Sequence, residues 1–93
     1  MPTLDSKINI PNDVLASEVD DEMVLLNLVS GKYFSLDDIG TRMWQLIKKH
    51  RQLKAVHQEL LEEYKVDSQQ LEQDLLALTD KLAANGLLQI VEP

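Results

Sequence analysis

Glu22-Met23-Val24-Leu25-Leu26-Asn27-Leu28, the turn Val29-Ser30-Gly31, and Lys32-Tyr33-Phe34-Ser35-Leu36 form the stretch whose reading decides the fold. Met23 to Leu28 is apolar at nearly every position. A strand with one buried face alternates in polarity, and one covered on both faces does not. This stretch therefore predicts a central strand. Ser30-Gly31 supplies a tight turn, because glycine reaches positive φ at little steric cost. Lys32 to Leu36 follows as a third strand, with aromatics suited to a pleated surface. Upstream, Val14 to Val19 reads as a first strand and Asp20-Asp21-Glu22 as a polar turn. The expectation is a meander of three antiparallel strands, the third on an edge.

From Asp37 onward the apolar period becomes 3.6. Asp37 or Asp38 can cap a first helix, since a carboxylate accepts its free backbone N–H groups. Ile39, Met43, Leu46 and Ile47 share one face with Trp44 beside them, and the helix should end near His50. Ile39 and Trp44 read as core. A second helix carries Leu53, Val56, Leu60, Leu61 and Tyr64, and Lys65-Val66-Asp67-Ser68 breaks it. Asp67 or Ser68 caps a third helix through about Asn85, and Gly86 stops it. Leu87 to Val91 reads as a short closing strand or an extended tail. Three strands followed by three amphipathic helices predict an α+β domain of winged-helix-like order. Residues 1–13 read as an N-terminal arm, extended or loosely held, and residues 14–91 as the domain.

The chain has 93 residues, room for one domain. Sixteen acidic residues against nine Lys and Arg give a net charge of −7, which argues against nucleic acid and anionic membranes as partners. No apolar run approaches the ~20 residues of a spanning helix. Met1 to Asp13 lacks a secretory pattern, so the cytoplasm is expected. The absence of cysteine rules out disulfides and thiolate metal sites.

Catalytic chemistry finds no support. His50 and His57 are the two histidines. His50 follows Lys48 and Lys49 at a helix end, where cations suit the dipole, and reads as a cap. His57 reads as packing or partly exposed. No Ser-His-Asp order, phosphate loop or HExxH spacing occurs. Asp20-Asp21-Glu22 reads as a solvated turn rather than a cation site. No catalytic residue, metal or cofactor is expected. The basic cluster Lys48, Lys49, Arg51 and Lys54 allows a nucleic-acid reading. The third helix of a winged-helix reader would enter the groove, however, and here it brings Asp67, Glu72, Asp74 and Asp80 with only Lys81 opposing.

Two features point to binding. On the third helix Leu71, Leu75, Leu78 and Leu82 form one stripe and Leu76, Thr79 and Ala83 a second. Together they span about 160°, against the ~100° a surface helix needs. Either the helix is buried between its neighbours or part of the stripe walls an apolar groove. The third strand also lacks the charge or proline that blunts natural edges, apart from Lys32 at its start. Such an edge is what peptide binding by strand addition uses. The alternative is that Leu87 to Val91 covers it.

The run from Glu22 through Asp37, then Gly40, Trp44 and Leu46, resembles the PqqD family. Leu61 to Asp67, the Leu71/Asp74/Leu75 spacing and Gly86-Leu87-Leu88 continue the resemblance, which covers about Val14 to Leu88. It implies a RiPP recognition element, a non-catalytic protein that binds the leader of a ribosomally made, later modified peptide. The leader is expected to add as a strand to Lys32, Tyr33, Phe34, Ser35 and Leu36. Its apolar side chains are expected against Leu71, Leu75 and Leu78, with Asp74 fixing a polar or aromatic group. Ser35 departs from the glycine frequent in relatives. The implied partners are a precursor's leader peptide and a leader peptidase or other modifying enzyme, in lasso-peptide biosynthesis or, alternatively, beside a radical-SAM enzyme as in pyrroloquinoline quinone assembly. A monomer or a weak edge-paired dimer is expected.

Overall fold

The computed structural model describes residues 2–91; Met1 of the expected arm lies outside them. Its order is β1 (Lys7–Asn9), β2 (Val14–Val19), β3 (Glu22–Asn27), β4 (Tyr33–Leu36), α1 (Asp38–His50), α2 (Leu53–Glu63), α3 (Ser68–Ala84) and β5 (Gln89–Val91). This is the α+β arrangement expected: an antiparallel sheet in the order β2-β3-β4, followed by three helices.

The meander follows from its turns. Val19 pairs with Glu22 across the two-residue turn Asp20-Asp21. Asp20 takes φ 58, which aspartate tolerates better than most residues. The β3–β4 turn is organised by Asn27, whose side-chain oxygen accepts from the Val29 and Ser30 amides at 2.9 and 3.1 Å. Its amide nitrogen donates to the Gly86 carbonyl at 2.7 Å and so ties this turn to the end of α3. Gly31 sits at φ 75 in the same turn.

Met23 and Leu25 of β3 face inward and pair with Leu36 and Phe34 of β4. α1 packs beneath these two strands, and α2 packs on α1 and α3. The core joins Leu25, Leu36, Trp44, Ile47, Leu60, Leu75, Leu82 and Leu87, each no more than 2% exposed. Burying side chains of this kind contributes about 1.5–3 kcal/mol apiece. The caps are those the sequence names: Asp37 accepts from the Gly40 amide at 2.7 Å and Asp67 from the Gln70 amide at 2.9 Å.

Both ends of the described chain are fixed. β1 and β5 pair as a separate two-stranded sheet, with Ile8 opposite Ile90 and Ile8 buried. The Lys7–Asn9 part of the arm is therefore extended and held against β5. β5 is a closing strand, but it closes on β1 and not on the meander, which leaves β4 at an edge.

Two side-chain expectations are corrected. His50 does not cap α1; its Nε2 donates to Glu59 Oε1 at 2.9 Å and links α1 to α2. Ile39 is 46% exposed rather than core, because it lies on the first turn of α1, where α3 does not reach across to cover it. His57 packs as expected, with Nε2 donating to the Ser68 carbonyl at 3.0 Å.

Candidate peptide-binding edge and groove

The open edge of β4 is set by its register. The Asn27 amide donates to the Lys32 carbonyl at 2.9 Å, which makes Asn27–Lys32 a hydrogen-bonded pair. In an antiparallel ladder such pairs alternate with non-bonded ones. Leu25–Phe34 and Met23–Leu36 are then bonded, and Leu26–Tyr33 and Val24–Ser35 are not. The N–H and C=O of Tyr33 and of Ser35 therefore point away from the sheet. Among the described residues none of these four groups has a partner. Of the five strand residues singled out from sequence, Tyr33 and Ser35 offer main chain to an incoming strand. Phe34 and Leu36 spend theirs on β3, and Lys32 gives its carbonyl to Asn27 and its amide to Ser30 Oγ.

Just past the end of this edge, residues of α1 and α3 face each other across an opening. α3 packs mainly on α2. The gap is an apolar trough in two parts. The part next to the end of β4 holds about 270 Å³ and is lined by Asp37, Ile39, Gly40, Met43, Asp74 and Leu78. The deeper part holds about 120 Å³ between Ile39, Met43, Leu60, Tyr64, Val66 and Leu71, with Gln70 and Asp74 at its rim. Ile39, Met43 and Asp74 belong to both, so the two parts are continuous. Gly40 is closely packed here: a Cβ would stand 3.1 Å from Asp37 Oδ1 and 3.3 Å from Leu36 Cδ2.

The helix residues named from sequence separate on this geometry. Leu71 and Leu78 line the trough, one in each part. Asp74 is exposed at its rim, with one oxygen accepting from Gln70 Nε2 at 2.9 Å. Leu75 is fully buried and lines neither part. Ile39, Gly40, Met43, Tyr64 and Val66 were missed as lining residues. The signal for Ile39 and Val66 is that both are large apolar residues close to the end of a helix, where cover runs out. Their exposures are 46% and 51%.

The charged network lies on the α1–α2 face. Arg42 Nε donates to Glu63 Oε1 at 2.8 Å, and its Nη2 reaches Glu63 and Glu59. The hydrogen bond from Arg42 holds the Glu63 carboxyl below its ordinary range. That from His50, with Lys49 adding to it, does the same for Glu59.

Residues 22–88 match the family model described as coenzyme PQQ synthesis protein D, PqqD. The chain belongs to the PqqD family. Two solved structures of similar chains carry a bound peptide. One is TbiB1 in complex with the TbiA(beta) leader peptide, 36% identical, covering 87% of this chain and 94% of that one at a TM-score of 0.81. The other is lasso peptide synthetase B1 complexed with the leader peptide, 29% identical, covering 88% and 96% at a TM-score of 0.78. No curated protein sequence matches this chain. Among the described residues no helix is long and apolar enough to cross a membrane.

Proposed function

We propose that this PqqD-family chain is the leader-peptide-binding protein of a lasso-peptide pathway. It captures the leader as an antiparallel strand on β4 and presents the precursor to the enzyme that removes the leader. The observation that carries this reading is the combination of unpartnered main-chain groups at Tyr33 and Ser35 with an apolar trough that opens just past the end of their strand, at Asp37. Alternate side chains of an added strand point to one face, so the inward ones descend between β4 and α3. There Leu78, Ile39 and Met43 receive the first, and Leu71, Tyr64 and Val66 receive one further along. Asp74 stands where it can accept a hydrogen bond from a donor on the leader. The two similar structures, each holding a leader peptide, support the lasso assignment over a radical-SAM pathway.

In this role the chain performs no chemistry and works in the cytoplasm as a monomer. The experiment is a titration of fluorescein-labelled leader from the cognate precursor, read by polarization. Micromolar or tighter binding that Leu78→Asp abolishes is expected. A leader that does not bind, or binds Leu78→Asp equally well, contradicts the assignment.

A further inference from the structure

The meander has a second open edge. The Leu28 amide donates to the Asp13 carbonyl at 2.9 Å, which fixes the alternation along β2. Leu15, Ser17 and Val19 bond to β3, so the N–H and C=O groups of Ala16 and Glu18 point outward. Among the described residues these four groups have no partner, and Leu15 through Val19 are all exposed. β2 has six residues, two more than β4. It has no proline and pairs without a bulge. Its one charged side chain, Glu18, is drawn onto Gln45 Nε2 of α1 at 3.0 Å. Edges of this kind are normally blunted, and β1 and β5 pair with each other rather than with this edge.

Charge selects what this edge accepts. Asp13 precedes β2, and Asp20, Asp21 and Glu22 follow it. A depression of about 330 Å³ lined by Glu18, Asp20, Asp21 and Asp38 opens at that end. Its one cation, Arg42, is already engaged by Glu59 and Glu63. A second copy is a poor occupant: antiparallel self-pairing sets Asp13 of one molecule near Asp20 and Asp21 of the other, and each carries −7. The solvent side of β2 carries two exposed apolar residues, Leu15 at 52% and Val19 at 60%, with Ser17 between them.

We infer that β2 is a second strand-docking edge. It takes an extended segment of the enzyme that processes the bound peptide, uncharged over its middle and carrying Lys or Arg at its ends. This rests on the leader-binding reading, because it is the leader on β4 that gives a processing enzyme reason to dock. The two edges are two strand spacings apart, about 10 Å, so one small sheet holds peptide and enzyme side by side.

Ala16→Pro tests this. It removes an outward N–H and leaves the β2–β3 ladder whole, the position at which an edge strand tolerates proline. The pair Asp20→Asn with Asp21→Lys alters the flanking charge without touching the strand, and Asn keeps the left-handed turn residue. Leader affinity is read by polarization. Affinity for the purified leader-removing enzyme is read by calorimetry, with and without leader. Both variants are expected to bind leader within about twofold of the parent chain. Ala16→Pro is expected to weaken the enzyme at least about tenfold, and the charge pair by about three- to tenfold with a shallower salt dependence. Unchanged enzyme affinity in Ala16→Pro overturns the proposal, as does its loss in Ser35→Pro while Ala16→Pro binds normally. Failure of the parent chain to bind leader sinks the leader reading instead, and the leader-free titration still decides the role of β2.

Discussion

Replacing Ser35 by proline removes one main-chain donor from the free edge of β4 and none from the β3–β4 ladder. Val24–Ser35 is a non-bonded pair, so the Ser35 N–H faces outward. Ser35 is exposed, and Phe34 before it is already extended, as a residue preceding proline must be. In the complex the loss is larger than one net hydrogen bond, about 0.5–1.5 kcal/mol, because a leader carbonyl is left facing the proline ring. An acceptor desolvated without a partner costs about 1–3 kcal/mol. At 1.4 kcal/mol per decade, the leader should bind about 5- to 150-fold more weakly. The unbound fold should melt within a few degrees of the parent chain. Phe34→Pro is the contrasting variant, since its N–H bonds to Leu25 and its loss should destabilise the fold itself. The assay is polarization with labelled leader, beside thermal melts of both variants. Parental affinity in Ser35→Pro would refute strand addition at β4, and an unfolded Ser35→Pro would refute an outward-facing Ser35 N–H.

Leu75→Asp and Leu78→Asp should behave oppositely: the first puts a charge into the closed core and unfolds the chain by circular dichroism, and the second leaves the fold and abolishes leader binding. Asn27→Ala loses its bonds to Val29, Ser30 and Gly86 and should lower the unfolding free energy by about 1–3 kcal/mol in urea titrations. Glu59 and Glu63 have carboxyls lowered from an ordinary value of 4.5, so the stability they supply is present above that pH and lost as pH falls through the lowered values. Melts below about pH 4.5 should show this loss, and it should shrink in Arg42→Ala. Gly40→Val would press on the Asp37 cap and on buried Leu36 and should lower the melting temperature of the free chain in thermal melts.

Much of the fold was legible because it is written locally. The apolar run Met23–Leu28 and turn chemistry bounded the meander to within a residue, and Asp37, Asp67 and Gly86 announced the helix ends. The β1–β5 sheet was not legible as a pair, because two three-residue strands at opposite ends of the chain carry no mutual signal. A leucine stripe tells which side of α3 is apolar but not how far the neighbouring element stands from it. Leu75 and Leu78 share one stripe, yet one meets the closed core and the other the opening beside β4. Ile39 fits the period of α1 as well as Met43 does, and only the short reach of its neighbours exposes it. The division of β4 into bonded and free residues required the register, which Asn27 and Lys32 fix.

Amide hydrogen exchange on the free and leader-bound chain addresses the strand-addition claim most directly. In the free chain the Phe34 amide should exchange slowly and those of Tyr33 and Ser35 fast, since only the first donates to β3. Saturating leader should slow Tyr33 and Ser35 together and leave Ala16 and Glu18 fast. Protection appearing at Ala16 and Glu18 instead, or leader binding that leaves Tyr33 and Ser35 exchanging as before, would contradict the account.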